Sequence, residues 1–271
     1  MKSVLLHIRD DLGAESRLQA ACDIVRATNG RIHCVQVTAM PDFIGADMYG
    51  GAAIAPEVMA ELREEDERTR GQVEDRLRRE GVNWEWTHMD GDVIHGLLSA
   101  ATLADVIIVT LPERRSNHVK DPLNLAGALA LGGRTPVLAM PQTAKSLPLS
   151  GVAAIAWDGS QEASAALRLA SPLLKLAEQV HIVSVEEAGK YPFPATQACE
   201  YLALHGIRSE LHSVSPDGRT VPQALEAKIA GLKPDWIAMG AFGHSRMREF
   251  VFGGVTRTML DAARLPLLLA H

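Results

Sequence analysis

Two stretches of this chain are copies of one another at a fixed distance. Asp105 corresponds to Asp235, Arg134 to Arg264 and Pro136 to Pro266, each pair 130 positions apart, so the last third of each half aligns without a gap. A constant offset over that length exceeds the general likeness among doubly wound domains, and reads as two copies of one domain. Whatever alternation of elements one copy shows, the other must show too.

The alternation is of strands and helices. In the first copy, runs at Ser3–Ile8, Arg31–Val37, Trp84–Met89, Asp105–Leu111 and Pro136–Met140 read as strands. Helical spacing occupies Ala14–Thr28, Glu57–Glu80, Val93–Leu103 and Leu123–Leu131, and the first of these closes on Asn29-Gly30, a C-terminal signal. Thr38–Pro56, rich in Gly, Ala, Met and Pro, reads as a long loop. In the charged helix, Glu64 with Arg68, Asp66 with Arg70 and Glu74 with Arg78 are spaced for ion pairs on a solvated face.

The second copy has strands at Val152–Trp157, Val180–Val185, Ser209–Val214 and Trp236–Met239. Its helices fall at Glu162–Ala177, Ala195–Leu204, Val221–Ala230 and Val255–Ala263, with Pro172 set to kink or shorten the first. This order predicts an α/β chain of two tandem, doubly wound parallel sheets. The expected division is residues 1–140, a linker at 141–150 and a second domain at 151–271.

The copies differ most where chemistry is expected. Trp236–Met239 runs into Gly240, then Gly243, then a basic loop with His244, Arg246 and Arg248, then Gly253 and Gly254 at a helix start. Strand, glycine loop and helix N-terminus is the layout of a phosphate cradle, since glycine admits close backbone approach and the first helical turn offers unpaired N–H groups; the alternative is that Gly240 and Gly243 are plain strand-end turn residues and Gly253 a loop residue before a cap. No Lys-Ser or Lys-Thr follows, so it is not a P-loop, and the glycines are too far apart for the dinucleotide fingerprint. At the same places the first copy has Thr110, Glu113, Leu123 and Asn124, so no equivalent phosphate site is expected there.

Composition narrows the functions. A net charge of −6 gives no electrostatic case for a nucleic-acid partner. Cys22, Cys34 and Cys199 share no close spacing, which fits a reducing cytoplasm rather than a disulfide framework or a zinc knuckle. Neither a signal peptide nor a membrane-spanning run is read in the sequence.

Gly240-x2-Gly243-x9-Gly253, followed by Gly254-Val255-Thr256, resembles the nucleotide-binding signature of the universal stress protein family, Gly-x2-Gly-x9-Gly followed by Ser or Thr. Asp158-Gly159-Ser160 is similar to that family's opening turn, and the two-copy layout resembles its tandem members. The resemblance implies five-stranded, Rossmann-like parallel sheets that bind ATP, with or without Mg, at the carboxyl ends of their strands. It places Asp158 at the adenine or ribose, Ala156 and Trp157 in the turn beside the base, and Val185 and Met239 along the base pocket. Gly240, Gly243, Gly253, Gly254, Val255 and Thr256 would hold ribose and phosphates, with His244 and Arg246 candidates from the same loop. Two departures stand out: Gly254 replaces the Ser or Thr, and the second copy is shorter after Val185.

The implied protein is a cytoplasmic adenine-nucleotide sensor or regulator with one site, in the second half. It would act through an unknown protein partner, as a homodimer or as an intramolecular pseudo-dimer of its two domains. The rivals are a slow ATPase, for which no general base is evident, and an interaction protein with a relic cradle. His7 and His33 fall on neighbouring strands and are weighed as a metal pair without a third ligand. Ser160 and Glu162 read as a helix cap rather than as a nucleophile and its partner.

Overall fold

The structure is a computed structural model that describes residues 1–39, 56–111, 124–186, 193–243, 254–262 and 264–271. The first half contains β1 (Ser3–Ile8), α1 (Ala14–Thr28), β2 (Arg31–Ala39), α2 (Pro56–Glu80), β3 (Asn83–Gly91), α3 (Val93–Ala100), β4 (Val106–Thr110), α4 (Leu125–Gly132) and β5 (Val137–Met140). The second contains β6 (Val152–Trp157), α5 (Gln161–Leu174), β7 (Gln179–Val185), α6 (Ala195–Leu204), β8 (Glu210–Val214), α7 (Val221–Leu232), β9 (Trp236–Gly240), α8 (Gly254–Ala262) and β10 (Leu267–Ala270).

These ten strands form one sheet in the order β3-β2-β1-β4-β5-β10-β9-β6-β7-β8. Each half is a parallel, doubly wound sheet, and the halves join through the antiparallel pair β5 and β10. One sheet face packs on α1, α2, α5 and α6 through Ile24, Leu77, Leu167 and Leu202. The other packs on α3, α4, α7 and α8 through Leu97, Leu129, Ile229 and Met259. The central strands are buried on both faces, which is why they read as unbroken apolar runs rather than alternating ones.

The repeated residues start strands. The Asp105 carboxylate accepts from the backbone N–H of Lys2 (2.6 Å) and Ser3 (3.0 Å), and Asp235 does the same for Val152 (2.7 Å). Burial pushes the Asp105 carboxyl upward, but these hydrogen bonds and the terminal ammonium outweigh it and hold its pKa low. Pro136 and Pro266 lend their carbonyls to Ile107 and Ile237, and as prolines leave no N–H unpaired at the strand entry.

Several elements differ from their sequence reading. α5 stops at Leu174, with Pro172 in its last turn. The ends of the Thr38–Pro56 stretch belong to β2 and α2, and the rest of it lies outside the described residues. The Asp66–Arg70 pair does not form: Asp66 turns to Gln36 and Thr38 on β2, and Arg70 pairs with Glu74 at 2.8 Å. The connecting segment is packed rather than loose. Leu147 and Leu149 are buried, the Leu147 N–H donates to Asp23, and Ser16 donates to the Pro141 carbonyl.

Candidate functional site

In an open parallel sheet, a crevice opens beyond two neighbouring strands whose chains depart in opposite directions. In the second half these strands are β6, which continues to β7 on one side, and β9, which continues to β10 on the other. Asp158 follows the first of them and Gly240 ends the second.

The turn after β6 is built to start α5. Gly159 takes φ +74°, the Asp158 carboxylate accepts from the Ser160 N–H at 3.0 Å, and the Ser160 hydroxyl caps the Ala163 N–H at 3.0 Å. Asp158 itself stays exposed. The first turn of α5 rests on the end of β9, because a Cβ on Gly240 would lie 2.6 Å from the Ala163 nitrogen. Gly243 faces side chains instead. A Cβ there would lie 2.9 Å from Glu162 Oε2, a buried oxygen without a hydrogen bond among the described residues, and 3.6 Å from the Ser160 hydroxyl.

The loop beyond β9 is held at three points. The Ala241 N–H donates to the Ala270 carbonyl at 2.7 Å, and His271 Nδ1 lies 2.8 Å from the Ala241 carbonyl. Phe242 has φ +58°, and its N–H donates to the Thr256 hydroxyl at 3.2 Å. That last bond draws the first turn of α8 to the mouth of β9. Gly254 opens α8 exposed, with open space where a side chain would go. Neither Gly253 nor Gly254 has a side chain with which to cap α8.

Ala156, Met239, Val185 and Val255 gather in one apolar cluster on the α7–α8 side. Trp157 points the other way, donating from its indole N–H to the Phe193 carbonyl at 3.2 Å. The Trp157 ring therefore lies on the opposite face of the sheet from the other four. Predicted residues His244, Arg246 and Gly253 lie outside the described residues. A separate open depression of about 360 Å³ runs along α5, lined by Gly159, Ser160, Ser164, Arg168 and Phe193. It borders the opening turn, but not the end of β9.

The corresponding crevice of the first half, between β1 and β4, is filled. Arg17, 1% exposed, donates to the carbonyls of His7 (3.1 Å) and Arg9 (2.8 Å), to both Asp11 oxygens, and to the Thr110 hydroxyl. Thr110 is the counterpart of Gly240, and its side chain crowds Gly13 as a Cβ on Gly240 would crowd α5. The sequence signal for this plug is an arginine in line with Ala20, Ala21 and Ile24 on the apolar face of α1. At the other anion position, the Asn124 side chain caps α4 by accepting from the Gly127 N–H at 2.8 Å, where α8 has only glycine. Glu113 and Leu123 lie outside the described residues.

The proposed histidine pair does not meet. Leu5 lies opposite His33 and Val35 opposite His7, and His33 bonds Thr87 at 2.8 Å. His7 is a buried neutral residue whose pKa is lowered to about 4, first by burial and then by the Arg17 and Arg9 charges.

No family model matches the sequence, and no curated protein does. Solved structures do match. A universal stress protein from Archaeoglobus fulgidus is 20% identical, with a TM-score of 0.78 over 99% of this chain and 95% of its own. A putative universal stress protein from Pseudomonas aeruginosa UCBPP-PA14 gives 0.59 at 15% identity, over 100% and 93%. A functionally unknown protein from Pseudomonas aeruginosa PAO1 gives 0.60 at 16% identity, over 100% and 92%. Along its whole length, in two tandem copies, this chain has the universal stress protein fold.

Proposed function

We propose that the chain is a tandem universal stress protein that binds one ATP, or a related adenine nucleotide, in its second half and acts as a nucleotide-dependent regulatory module. The observation that carries this is the N-terminus of α8, which opens on exposed Gly254 and is tied to the end of β9 by the Thr256–Phe242 bond at the switch point of the sheet. Backbone N–H groups there suit phosphate, and Gly243 leaves room for it. Ala156, Val185 and Met239 offer an apolar wall to the base, and exposed Asp158 is free to take a ribose or adenine hydrogen bond. His244, Arg246, Gly253 and Gly254 complete the phosphate end of this reading. Arg17 leaves no room for a second nucleotide in the first half.

One observation favours a hydrolytic variant of the same site. Glu162 Oε2, buried beside Gly243 and without a hydrogen-bond partner among the described residues, is an acceptor for a water proton or for a hydrated Mg²⁺. Turnover that disappears in Glu162→Gln would establish it.

Calorimetry tests the central reading. One ATP per chain is expected, with binding weakened by Asp158→Ala and unchanged by Asp10→Ala. No ATP binding, or two equivalent sites, overturns it.

A further inference from the structure

A group of side chains unrelated to the nucleotide reading lies between β7 and β8. His181 on β7 is in register with Glu210 on β8, and His212 follows two residues on, so all three project from one face of the sheet. His181 Nδ1 and His212 Nε2 are 3.1 Å apart; Glu210 lies 3.5 Å from the first through Oε2 and 3.7 Å from the second through Oε1. Among the described residues, this is the group of His, Cys, Asp and Glu whose ligand atoms converge closely enough for one ion.

These separations, 3.1, 3.5 and 3.7 Å, lie close to those of a coordination face. Around a tetrahedral zinc with bonds of about 2.0–2.2 Å, ligand atoms sit roughly 3.3–3.5 Å apart. Two of the three residues are histidines, each anchored on a strand, and His181 is buried. The Glu210 side chain is 67% exposed and opens the group to solvent. From this geometry we propose that His181, Glu210 and His212 bind one zinc-class divalent cation, with three protein ligands and a fourth position open to water.

The competing arrangement is two imidazoles sharing a hydrogen bond, with Glu210 merely solvated. Burial and then the Lys228 ammonium on α7 hold the His212 pKa down. Lys228 also repels a cation at this spot, while the Glu210 carboxylate attracts it. The level of the site along the sheet is set by register: His212 faces Val183, which faces Ala156. A bound ion would therefore pin edge strand β8 two strands, roughly 10 Å, from the proposed base pocket.

The test is titration of the full-length chain with Zn²⁺ against a chromophoric chelator, repeated with Co²⁺ as a spectroscopic probe. The expected result is one Zn²⁺ per chain and the intense visible bands of four-coordinate Co²⁺. Glu210→Gln, at an exposed side chain, should weaken Zn²⁺ at least tenfold with circular dichroism unchanged. His212→Gln should abolish the cobalt bands, and Lys228→Met should tighten binding severalfold. The proposal is overturned if the wild type binds no more Zn²⁺ than the Glu210→Gln/His212→Gln double variant, or if its Co²⁺ spectrum is that of a six-coordinate ion.

Discussion

Gly240 and Gly243 stand three residues apart in one motif, yet the structure gives them different work. A side chain at Gly240 meets the backbone of α5, which cannot step aside without moving the helix. Gly240→Ala is therefore expected to cost about 1–3 kcal/mol of stability, the usual range for overpacking, whether or not ATP is present. At Gly243 the nearest atom is the end of a glutamate side chain, which can swing away. Gly243→Glu instead places a carboxylate where phosphate is proposed to lie. Two unit charges about 4 Å apart at an effective dielectric near 20 repel by about 4 kcal/mol, and a third of that is about tenfold in affinity. ATP affinity should fall at least tenfold and adenosine affinity much less. Calorimetry and thermal melts of the two variants separate the effects; equal loss of ATP binding without any loss of stability would contradict the packing role of Gly240. His7 makes a third residue-scale prediction. Its folded pKa of about 4 lies below its ordinary value of 6.5, so as pH falls from 6.5 the unfolded chain takes up the proton first. Stability is then lost between pH 6.5 and 4, on the order of 3 kcal/mol in all. His7→Gln should flatten that part of the profile in urea melts; an unchanged slope would mean that His7 is not buried neutral.

At the scale of elements, α4 and α8 are the same helix with opposite beginnings. Asn124 spends its carboxamide on the first turn of α4, whereas Gly254 holds the same repeat position with no side chain. Gly254→Asn should therefore cap α8, adding about 1 kcal/mol to the free protein, while weakening ATP by taking N–H groups that the phosphates would use. A rise in melting temperature with undiminished ATP affinity would show that phosphate does not sit on α8. Much of this was legible beforehand, since β1, α1, β6 and α6 fall where the hydrophobic periodicity and the Asn29-Gly30 stop put them. Gly240 and Gly243 stood out in the sequence as glycines at a strand end, but only the packing shows that the first lies against the backbone of α5 and the second against the Glu162 side chain. Arg17 and the Glu162 carboxylate were not recognised, because their roles depend on how a helix settles against strands far away in sequence. Thr256 was expected at a ligand, and its hydroxyl accepts from the Phe242 N–H, a bond between residues fourteen positions apart. Glu210 and His212 carried a faint signal, two ligand types on one face of a short strand, but their partner His181 is supplied only by the register of β7.

At the scale of the molecule, the seam between halves is a pseudo-twofold. Under the 130-residue offset Leu138 and Leu268 are counterparts, and they pair with each other; Val137 pairs with Leu269 and Ala139 with Leu267, which are each other's counterparts in turn. A symmetric contact of this kind normally joins two chains, and here it is made within one. The sequence held a trace of it. The outer edges β3 and β8 carry exposed residues, whereas β5 and β10 are four-residue apolar runs buried throughout, unlike edges left open to solvent. What periodicity does not record is that the two runs meet antiparallel. Because Leu138 and Leu268 lie opposite one another in the same core, Leu138→Ala and Leu268→Ala should each cost about 2–5 kcal/mol. Their effects should be coupled, with the double variant departing from the sum of the singles by about 0.5–3 kcal/mol. Denaturant melts of the wild type, both single variants and the double variant measure that coupling directly. The wild type is expected to unfold in one transition, since exposing either buried seam strand strips the partner of its neighbour. Two separate transitions, or strict additivity of the two leucine changes, would mean that the halves fold as independent domains that happen to touch.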